Sequence, residues 1–457
     1  MVYLNSKVGH MKKIFYVVLF IILIPFTVNA GEITSECKIT IDYAHQKKLK
    51  DNDYNTFITA ERHKYIVVEC PTDIKYLYIK YHDHSVKGKI LFENYENAIG
   101  VKGYLHELVK INNNVTTFKI VYEEKYEIAD IYLYDDENLP KEIQNWQTLD
   151  TADMMLFSTH ADDEHLFFAG LLPKYVDEGK KIQVVYFTRH LNNVLRYHEL
   201  LDGLWAAGIK YYPLVSNFPD EYSTTKDGAM LNFERAGYNI DDLLKFQVDA
   251  IRKYKPYVVV GHDEEGEYGH GQHILNAYIL KTAYEKANDK NYNLESIEKY
   301  GTWGIQKLYL HLYNTNKLCL NYDEPLTSFG GKTAFQVSQE AFSYHLSQQY
   351  TWFKGWLYGA NNNFDSYTDI KTYNPCEFGL YYTSVGEDEL KTTLFENVED
   401  IKNNPIKEEK PDEEKEHEIE IESAQKIETN SNIMLYVLIG IVIAVITILL
   451  ISIIIKK

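Results

Sequence analysis

From about Asp150 onward, the sequence alternates between short apolar runs and segments with helical periodicity. Four runs have the length and composition of strands that are buried on both faces. These runs are residues 154–158, 182–188, 257–261 and 308–313. Between the second and third, Leu244, Val248 and Ile251 recur at spacings of three and four, which places them on one face of a helix. The alternation predicts an α/β domain with a Rossmann-like parallel sheet over residues 148–396, and ligands bind such sheets beyond the carboxyl ends of the strands.

The region before this domain, residues 31–147, has a different pattern. Short β-branched and aromatic runs at 65–68, 74–81, 118–122 and 131–134 are separated by polar turns, which predicts an all-β sandwich domain. Residues 49–57 resemble the start of discoidin-like, galactose-binding jelly rolls. That resemblance implies a carbohydrate-binding module, and a spacer sandwich without a ligand is the alternative.

The two ends of the chain are typical of a membrane protein. Residues 1–30 read as a signal peptide, with Lys12 and Lys13 before a short apolar core, although a retained N-terminal anchor is an alternative. Residues 433–455 contain no charge and are long enough for a transmembrane helix, followed by a cytoplasmic tail at 456–457. The charged composition of residues 397–432 predicts a stalk. We therefore expect a single-pass type I membrane protein whose catalytic domain is extracellular or luminal.

Charge and cysteine content narrow the possible partners and sites. A net charge of −19 without a basic stripe argues against nucleic acid as a partner. The four cysteines allow two disulfides, Cys37 with Cys70 and Cys319 with Cys376, or four isolated thiols. Because no two cysteines have CxxC spacing, a cysteine zinc site is not expected.

Two clusters of histidines and carboxylates follow the strands at 154–158 and 257–261. Zinc hydrolases usually use three protein ligands and leave one position for water. His160, Asp163 and His273 would supply two nitrogens and one oxygen for Zn²⁺, and the same set would accept ferrous iron or cobalt. Asp162 lies beside them and is the candidate general base. His270 is the candidate donor to the oxyanion or to the leaving amine.

Other residues near these clusters have alternative interpretations. Asp263, Glu264, Glu265 and Glu267 have oxygens that could bind Ca²⁺, but that alternative leaves His270 and His273 unexplained. His262 is close to the site in sequence. We therefore take it as a candidate substrate contact.

The two clusters resemble the motifs of the PIG-L/LmbE-like N-acetylglucosaminyl de-N-acetylases, which are His-Pro-Asp-Asp-Glu and Gly-His-Pro-Asp-His. The resemblance covers residues 150–350 and implies zinc binding by the ligand set above, with Asp162 as the base. It also implies that Tyr268 and His270 stabilise the tetrahedral intermediate and that Arg196, Glu199 and Asp220 bind substrate. Arg196 and Glu199 could instead form a helix ion pair. His345 matches a late His-x-Ser-Gln pattern of the family. Three residues depart from the family pattern: Ala161, Gly271 and Gln272.

These observations predict a zinc-dependent hydrolase that removes the N-acetyl group from an N-acetylglucosamine-containing glycan or glycolipid. An amidase that cleaves another acyl amide and a catalytically silent carbohydrate-binding surface protein are the alternatives. The expected partners are an N-acetylated sugar and a membrane, which the chain would reach through its C-terminal helix. The sequence leaves the oligomeric state open.

Overall fold

The computed structural model describes residues 31–41, 46–190 and 193–402. Within these ranges, no helix is both long enough and apolar enough to cross a lipid bilayer. The signal segment, nearly all of the stalk and the apolar run at 433–455 lie outside the described residues. The membrane topology therefore stays a prediction.

The N-terminal part of the described chain is all-β, as its sequence predicts. Nine antiparallel strands of the described residues form two sheets, with the orders β1-β3-β8-β5-β6 and β2-β9-β4-β7. The strands are β1 Lys38–Thr40, β2 Ile58–Ala60, β3 Tyr65–Glu69, β4 Tyr76–Tyr81, β5 Gly88–Leu91, β6 Glu96–Ile99, β7 His106–Lys110, β8 Thr117–Tyr122 and β9 Tyr126–Tyr134. Alternate residues of β3, Ile66 and Val68, are fully buried, which is the period-two pattern of a strand with one face on a core. The resemblance to discoidin-like domains stays a prediction.

The second part of the chain is built on one seven-stranded sheet with the order β12-β11-β10-β13-β14-β16-β15. Its strands are β10 Met154–Ser158, β11 Ile182–Tyr186, β12 Leu214–Val215, β13 Val258–Gly261, β14 Lys307–His311, β15 Leu318–Cys319 and β16 Glu377–Thr383. The first five strands in this order are parallel, as predicted, and β16 runs antiparallel to β14 and β15 at the edge. Every residue of β10, β11 and β13 is buried, which agrees with their continuous apolar sequences.

Helices connect and cover these strands. They are α1 Leu171–Asp177, α2 Leu195–Ala206, α3 Lys226–Arg235, α4 Ile240–Tyr254, α5 Gly271–Asn288, α6 Leu294–Tyr300, α7 Ala334–Phe342 and α8 Trp352–Tyr358. The helix α4 begins after Asn239, whose side chain accepts the backbone N–H groups of Asp241 and Asp242 in a capping box. Its buried stripe packs on the sheet, with Val248 and Ile251 against the core around Phe157. The four cysteines form the two predicted disulfides, Cys37–Cys70 and Cys319–Cys376, and are not isolated thiols.

A chain of buried histidines joins the sandwich to the α/β part. His106 on β7 has its Nδ1 atom 2.7 Å from Oε1 of Gln144 and its Nε2 atom 2.8 Å from Nδ1 of His198 on α2. The Nε2 atom of His198 lies 2.8 Å from the backbone oxygen of His82. We call His106 and His198 the junction histidines. The domain boundary predicted at residues 147 and 148 falls in the connection between β9 and β10 and stays a prediction.

Candidate metal centre

The two clusters predicted from the sequence meet at the carboxyl edge of the parallel sheet. The segment 159–165 follows β10, and the segment 262–270 follows β13, which is hydrogen-bonded to β10. Since neighbouring parallel strands end at the same edge, side chains far apart in sequence share one buried site. Asp220 reaches the same edge from the loop after β12.

Three atoms at this edge form a nearly equilateral triangle. Nδ1 of His160 lies 3.2 Å from Oδ2 of Asp163 and 3.1 Å from Nε2 of His273, and the latter two atoms are 3.2 Å apart. Ligands around one tetrahedral ion of the zinc class, at bonds of about 2.0–2.2 Å, lie about 3.3 Å from one another. All three side chains are buried. We call these atoms the ligand triangle, and their geometry fits a single cation.

Each histidine of the ligand triangle has a second ring nitrogen, which we call the outer nitrogen because it lies outside the triangle. Another side chain accepts a hydrogen bond from each outer nitrogen. Nε2–H of His160 donates to Oε1 of Gln272 at 2.9 Å, and the amide nitrogen of Gln272 donates to the backbone oxygen of Pro219. Nδ1–H of His273 donates to Oε2 of Glu267 at 2.7 Å. These bonds set the tautomers, so that Nδ1 of His160 and Nε2 of His273 keep their lone pairs for the triangle. Gln272, which departs from the family motif, therefore orients a ligand.

Glu267 is a functional residue that the sequence interpretation missed. Its fully buried carboxylate accepts N–H groups from His262, His273 and His311 at 2.8, 2.7 and 2.7 Å. It also accepts the backbone N–H of Asp263. The Ca²⁺ alternative therefore loses Glu267 as a ligand, because its oxygens accept hydrogen bonds from histidines. The sequence did contain a signal for this role, because Glu267 is the carboxylate of the second cluster that is nearest in sequence to His270 and His273.

Asp162 has an unusual backbone conformation next to the ligand triangle. Its φ of 120° lies in a region that non-glycine residues rarely adopt, and such strain is concentrated at functional sites. Burial raises the pKa of its carboxyl to about 8, while the nearby Arg196 guanidinium, 3.4 Å from Oδ2, acts in the opposite direction. A bound cation would lower this pKa further. With its pKa lowered in this way, the carboxyl would lose its proton near neutral pH and could act as a proton acceptor.

His270 and Tyr268 lie over the same site. Nδ1 of His270 accepts the backbone N–H of Gln272 at the start of α5, so the proton of a neutral ring is on Nε2. Burial lowers the pKa of His270 to about 2, which keeps the ring neutral and able to donate one hydrogen bond. The centroid of the Tyr268 ring is 5.5 Å from that of His270 and 5.7 Å from that of His273. Tyr268 has a φ of 47° and is a second strained residue at the site.

Comparison with known proteins identifies this part of the chain. Residues 155–284 match the family model described as PIG-L: GlcNAc-PI de-N-acetylase. The chain carries a PIG-L family domain. We call residues 155–284 the PIG-L domain, and it contains both clusters of the site.

Relatives of this domain are deacetylases by name. The 1D-myo-inositol 2-acetamido-2-deoxy-alpha-D-glucopyranoside deacetylase of Geodermatophilus obscurus is 26% identical over 34% of this chain and 60% of its own length. A protein described as deacetylase 2 of the same kind, from Saccharopolyspora erythraea, is 29% identical over 34% of this chain and 63% of its own length. The chain thus spans about 60% of the length of these curated relatives. The N,N'-diacetylchitobiose deacetylase of Pyrococcus horikoshii aligns with a TM-score of 0.35 and 15% identity, covering 50% of this chain and 84% of that one.

Of the predicted substrate residues, Asp220 and Arg196 lie at the metal centre. Asp220 keeps 33% of its side chain exposed, and its carboxylate lies 3.3 Å from Nε2 of His160 and 2.8 Å from Nδ1 of His190. Arg196 is almost completely buried and donates to the backbone oxygen of Ala161. Its ion pair is with Asp162 and not with Glu199.

The other two predicted substrate contacts, His262 and Glu199, are buried. His262 is fully buried, donates from Nδ1 to Glu267 and accepts the backbone N–H of Thr159 at Nε2. Glu199 is also buried, and its carboxylate accepts the backbone N–H and the hydroxyl of Ser347. Both side chains are thus hydrogen-bonded within the protein, and their part in substrate binding stays a prediction. His262 also lies with Asp163 and His273 in a group of side chains that could hold a metal ion.

Aromatic side chains flank the opening of the site. Tyr222, which is 67% exposed, has its ring 5.1 Å from that of His270. Trp352 at the start of α8 is 51% exposed, and its ring centroid lies 5.6 Å from that of Tyr268. Such flat apolar faces beside carboxylates suit a ligand that has both apolar ring faces and hydroxyl groups.

Proposed function

We propose that this protein is a metal-dependent hydrolase that removes the N-acetyl group from an N-acetylglucosamine-containing glycan or glycolipid. The observation that carries the proposal is the ligand triangle of His160, Asp163 and His273, with Asp162 beside it. The PIG-L family match and the names of the relatives support the N-acetyl sugar as the substrate class. We further propose Zn²⁺ as the cation, since two imidazoles and one carboxylate form a typical catalytic zinc set.

The chemistry divides between the cation and the residues around it. When bound, a divalent cation of the zinc class supplies Lewis acidity and lowers the pKa of a coordinated water toward about 7. Asp162 accepts a proton from the water molecule while the water oxygen forms a bond to the acetamide carbon. Nε2–H of His270 donates to the carbonyl oxygen as negative charge develops there. When the C–N bond breaks, the proton passes from Asp162 to the leaving nitrogen, and the products are acetate and a free amine.

Asp220, Tyr222, Tyr268 and Trp352 would bind the sugar. Carboxylate oxygens accept hydroxyl groups, and the aromatic rings cover the apolar faces of a pyranose. We also propose that this chain is a type I membrane protein and that its catalytic domain acts outside the cytoplasm. This proposal depends on the two terminal segments of the sequence, residues 1–30 and 433–455.

Acetate release tests the proposed function. The full-length chain, loaded with Zn²⁺, is incubated with a panel of N-acetylated mono- and oligosaccharides, and acetate and free amine are measured. We expect equal amounts of both, and a loss of about 10²–10⁴-fold in Asp162→Asn because the general base is removed. The matched control is Asp227→Asn, which changes an exposed carboxylate on α3 and should keep full activity.

Each other outcome identifies a different function. When sugars with other N-acyl groups are added to the panel, release of amine from them alone, without acetate, would indicate the alternative amidase. Sugar binding without turnover, unchanged by removal of zinc, would indicate the carbohydrate-binding surface protein. Either result would overturn the proposed deacetylase.

A further inference from the structure

A second buried cluster lies beside the metal centre and has no role in the mechanism above. It consists of Glu164 and His165, which follow Asp163, and His345, which lies after α7. All three side chains are completely buried. Oε1 of Glu164 and both ring nitrogens of each histidine have no hydrogen-bond partner in the described part of the chain. Because unpaired buried polar atoms are costly, five of them in one cluster require an explanation.

The distances within the cluster suggest what completes it. Oε1 of Glu164 lies 3.4 Å from Nε2 of His165 and 3.5 Å from Nε2 of His345. These separations exceed the usual N–H···O range of about 2.7–3.2 Å. They match the separation of about 3.3 Å between ligands of one tetrahedral ion of the zinc class. The three side chains thus have the spacing expected of ligands that share one small ion.

The helix α2 leaves room for this cluster at Gly203. A Cβ atom at that position would lie 2.9 Å from Nε2 of His165 and 2.9 Å from Nε2 of His345. Glycine inside a helix is destabilising relative to alanine, so its presence here has a packing reason. Any side chain at residue 203 would press on the two nitrogens that face Glu164.

We propose that Glu164, His165 and His345 bind a second divalent cation, distinct from the cation of the ligand triangle. Two imidazoles and one carboxylate favour zinc, ferrous iron or cobalt, whereas Mg²⁺ and Ca²⁺ prefer oxygen ligands. The three ligand atoms lie within 4.8 Å of one another, as a shared ion requires. This site goes beyond the proposed function, which needs only the first cation.

The second cation would also act on the metal centre through Glu164. The other carboxylate oxygen, Oε2, accepts the backbone N–H of Asp162 at 3.0 Å. Asp162 is the residue with φ of 120°, a conformation that needs support from its surroundings. Glu164 is therefore a positioning residue, and the cation bound to its Oε1 would fix the carboxylate that holds Asp162 in place.

Metal content tests the second site directly. The full-length chain, purified in detergent, is saturated with Zn²⁺, freed of excess metal by gel filtration and analysed by mass spectrometry of the metal. We expect two equivalents of zinc in the wild type and one in His345→Ala. His63→Ala, which removes an exposed histidine of the sandwich, is the matched control and should keep two equivalents.

The remaining outcomes also decide the question. One equivalent in the wild type, or two in His345→Ala, overturns the second site. If His345→Ala keeps no zinc, the variant has lost the fold, and His165→Gln then decides: one equivalent supports the site and two overturn it. A wild type with one equivalent and normal acetate release would remove the second site and leave the proposed function intact.

Discussion

The junction histidines and the histidines of the ligand triangle are similarly buried, yet their ring nitrogens face different surroundings. Both nitrogens of His106 and of His198 lie within 2.8 Å of an oxygen or nitrogen of the protein. In His160 and His273, the outer nitrogen is bonded to Gln272 or Glu267, and the inner nitrogen points to the shared triangle. The comparison teaches that burial does not distinguish a structural histidine from a ligand. The direction of the second nitrogen does.

Removal of a triangle ligand should have the largest effect. In His273→Ala, the triangle loses one of its two nitrogens, so we expect loss of the catalytic zinc. Acetate release should fall about 10³-fold, because the cation supplies several kcal/mol to the transition state. Metal analysis and acetate assays check both results. His198→Ala should keep its zinc, and equal zinc loss in both variants would remove the distinction between the two histidine groups.

Replacement of Glu267 should weaken zinc binding without abolishing it. In Glu267→Gln, one carboxylate oxygen becomes an amide nitrogen, which cannot accept the N–H groups now bonded to it. Partners of metal ligands typically contribute about 10–100-fold in affinity, and we expect a loss in this range. Competition with a chelator measures it. Glu264→Gln, which changes a carboxylate paired with Lys281, is the control and should bind zinc as the wild type does.

A variant of a junction histidine should lower the stability of the fold and leave zinc binding unchanged. His106→Leu removes two buried hydrogen bonds and leaves Nδ1 of His198 without a partner, whereas Oε1 of Gln144 still accepts the indole N–H of Trp146. The free energy of unfolding should therefore fall by about 1–3 kcal/mol. Zinc affinity should not change, because His106 contacts no residue of the ligand triangle. Urea denaturation followed by zinc titration checks the two expectations. A large drop in zinc affinity would show that the junction acts on the metal centre.

The smallest effect is expected at the aromatic rim. Trp352→Ala should raise KM for an N-acetylated disaccharide several-fold and leave kcat nearly unchanged, since loss of about 1 kcal/mol of ring packing weakens substrate and transition state alike. Steady-state kinetics on a mono- and a disaccharide measure the change. Tyr350→Ala, at a 95% exposed aromatic residue, is the control. Equal KM values for Trp352→Ala and the wild type would place the sugar elsewhere.

The sequence predicted the long, periodic elements well. The predicted stripe of Leu244, Val248 and Ile251 lies on α4, and the run at 154–158 corresponds to β10. Short strands of the sandwich were missed, among them Gly88–Leu91 and Glu96–Ile99. Each has four residues, and their charged and polar side chains hide the alternation that marks a strand. Such elements are stabilised by pairing with distant strands more than by their own sequence.

The sequence by itself determined that two clusters of histidines and carboxylates would follow parallel strands, because apolar periodicity and motif spacing are local properties. Only the tertiary structure decided which nitrogens converge. It assigned Gln272 and Glu267 to orient the ligands, paired His262 with Thr159 and Glu199 with Ser347, and brought His345 to Glu164. The physical reason is that hydrogen bonds are directional and short, so the role of a buried polar atom depends on neighbours that the chain supplies from far away in sequence.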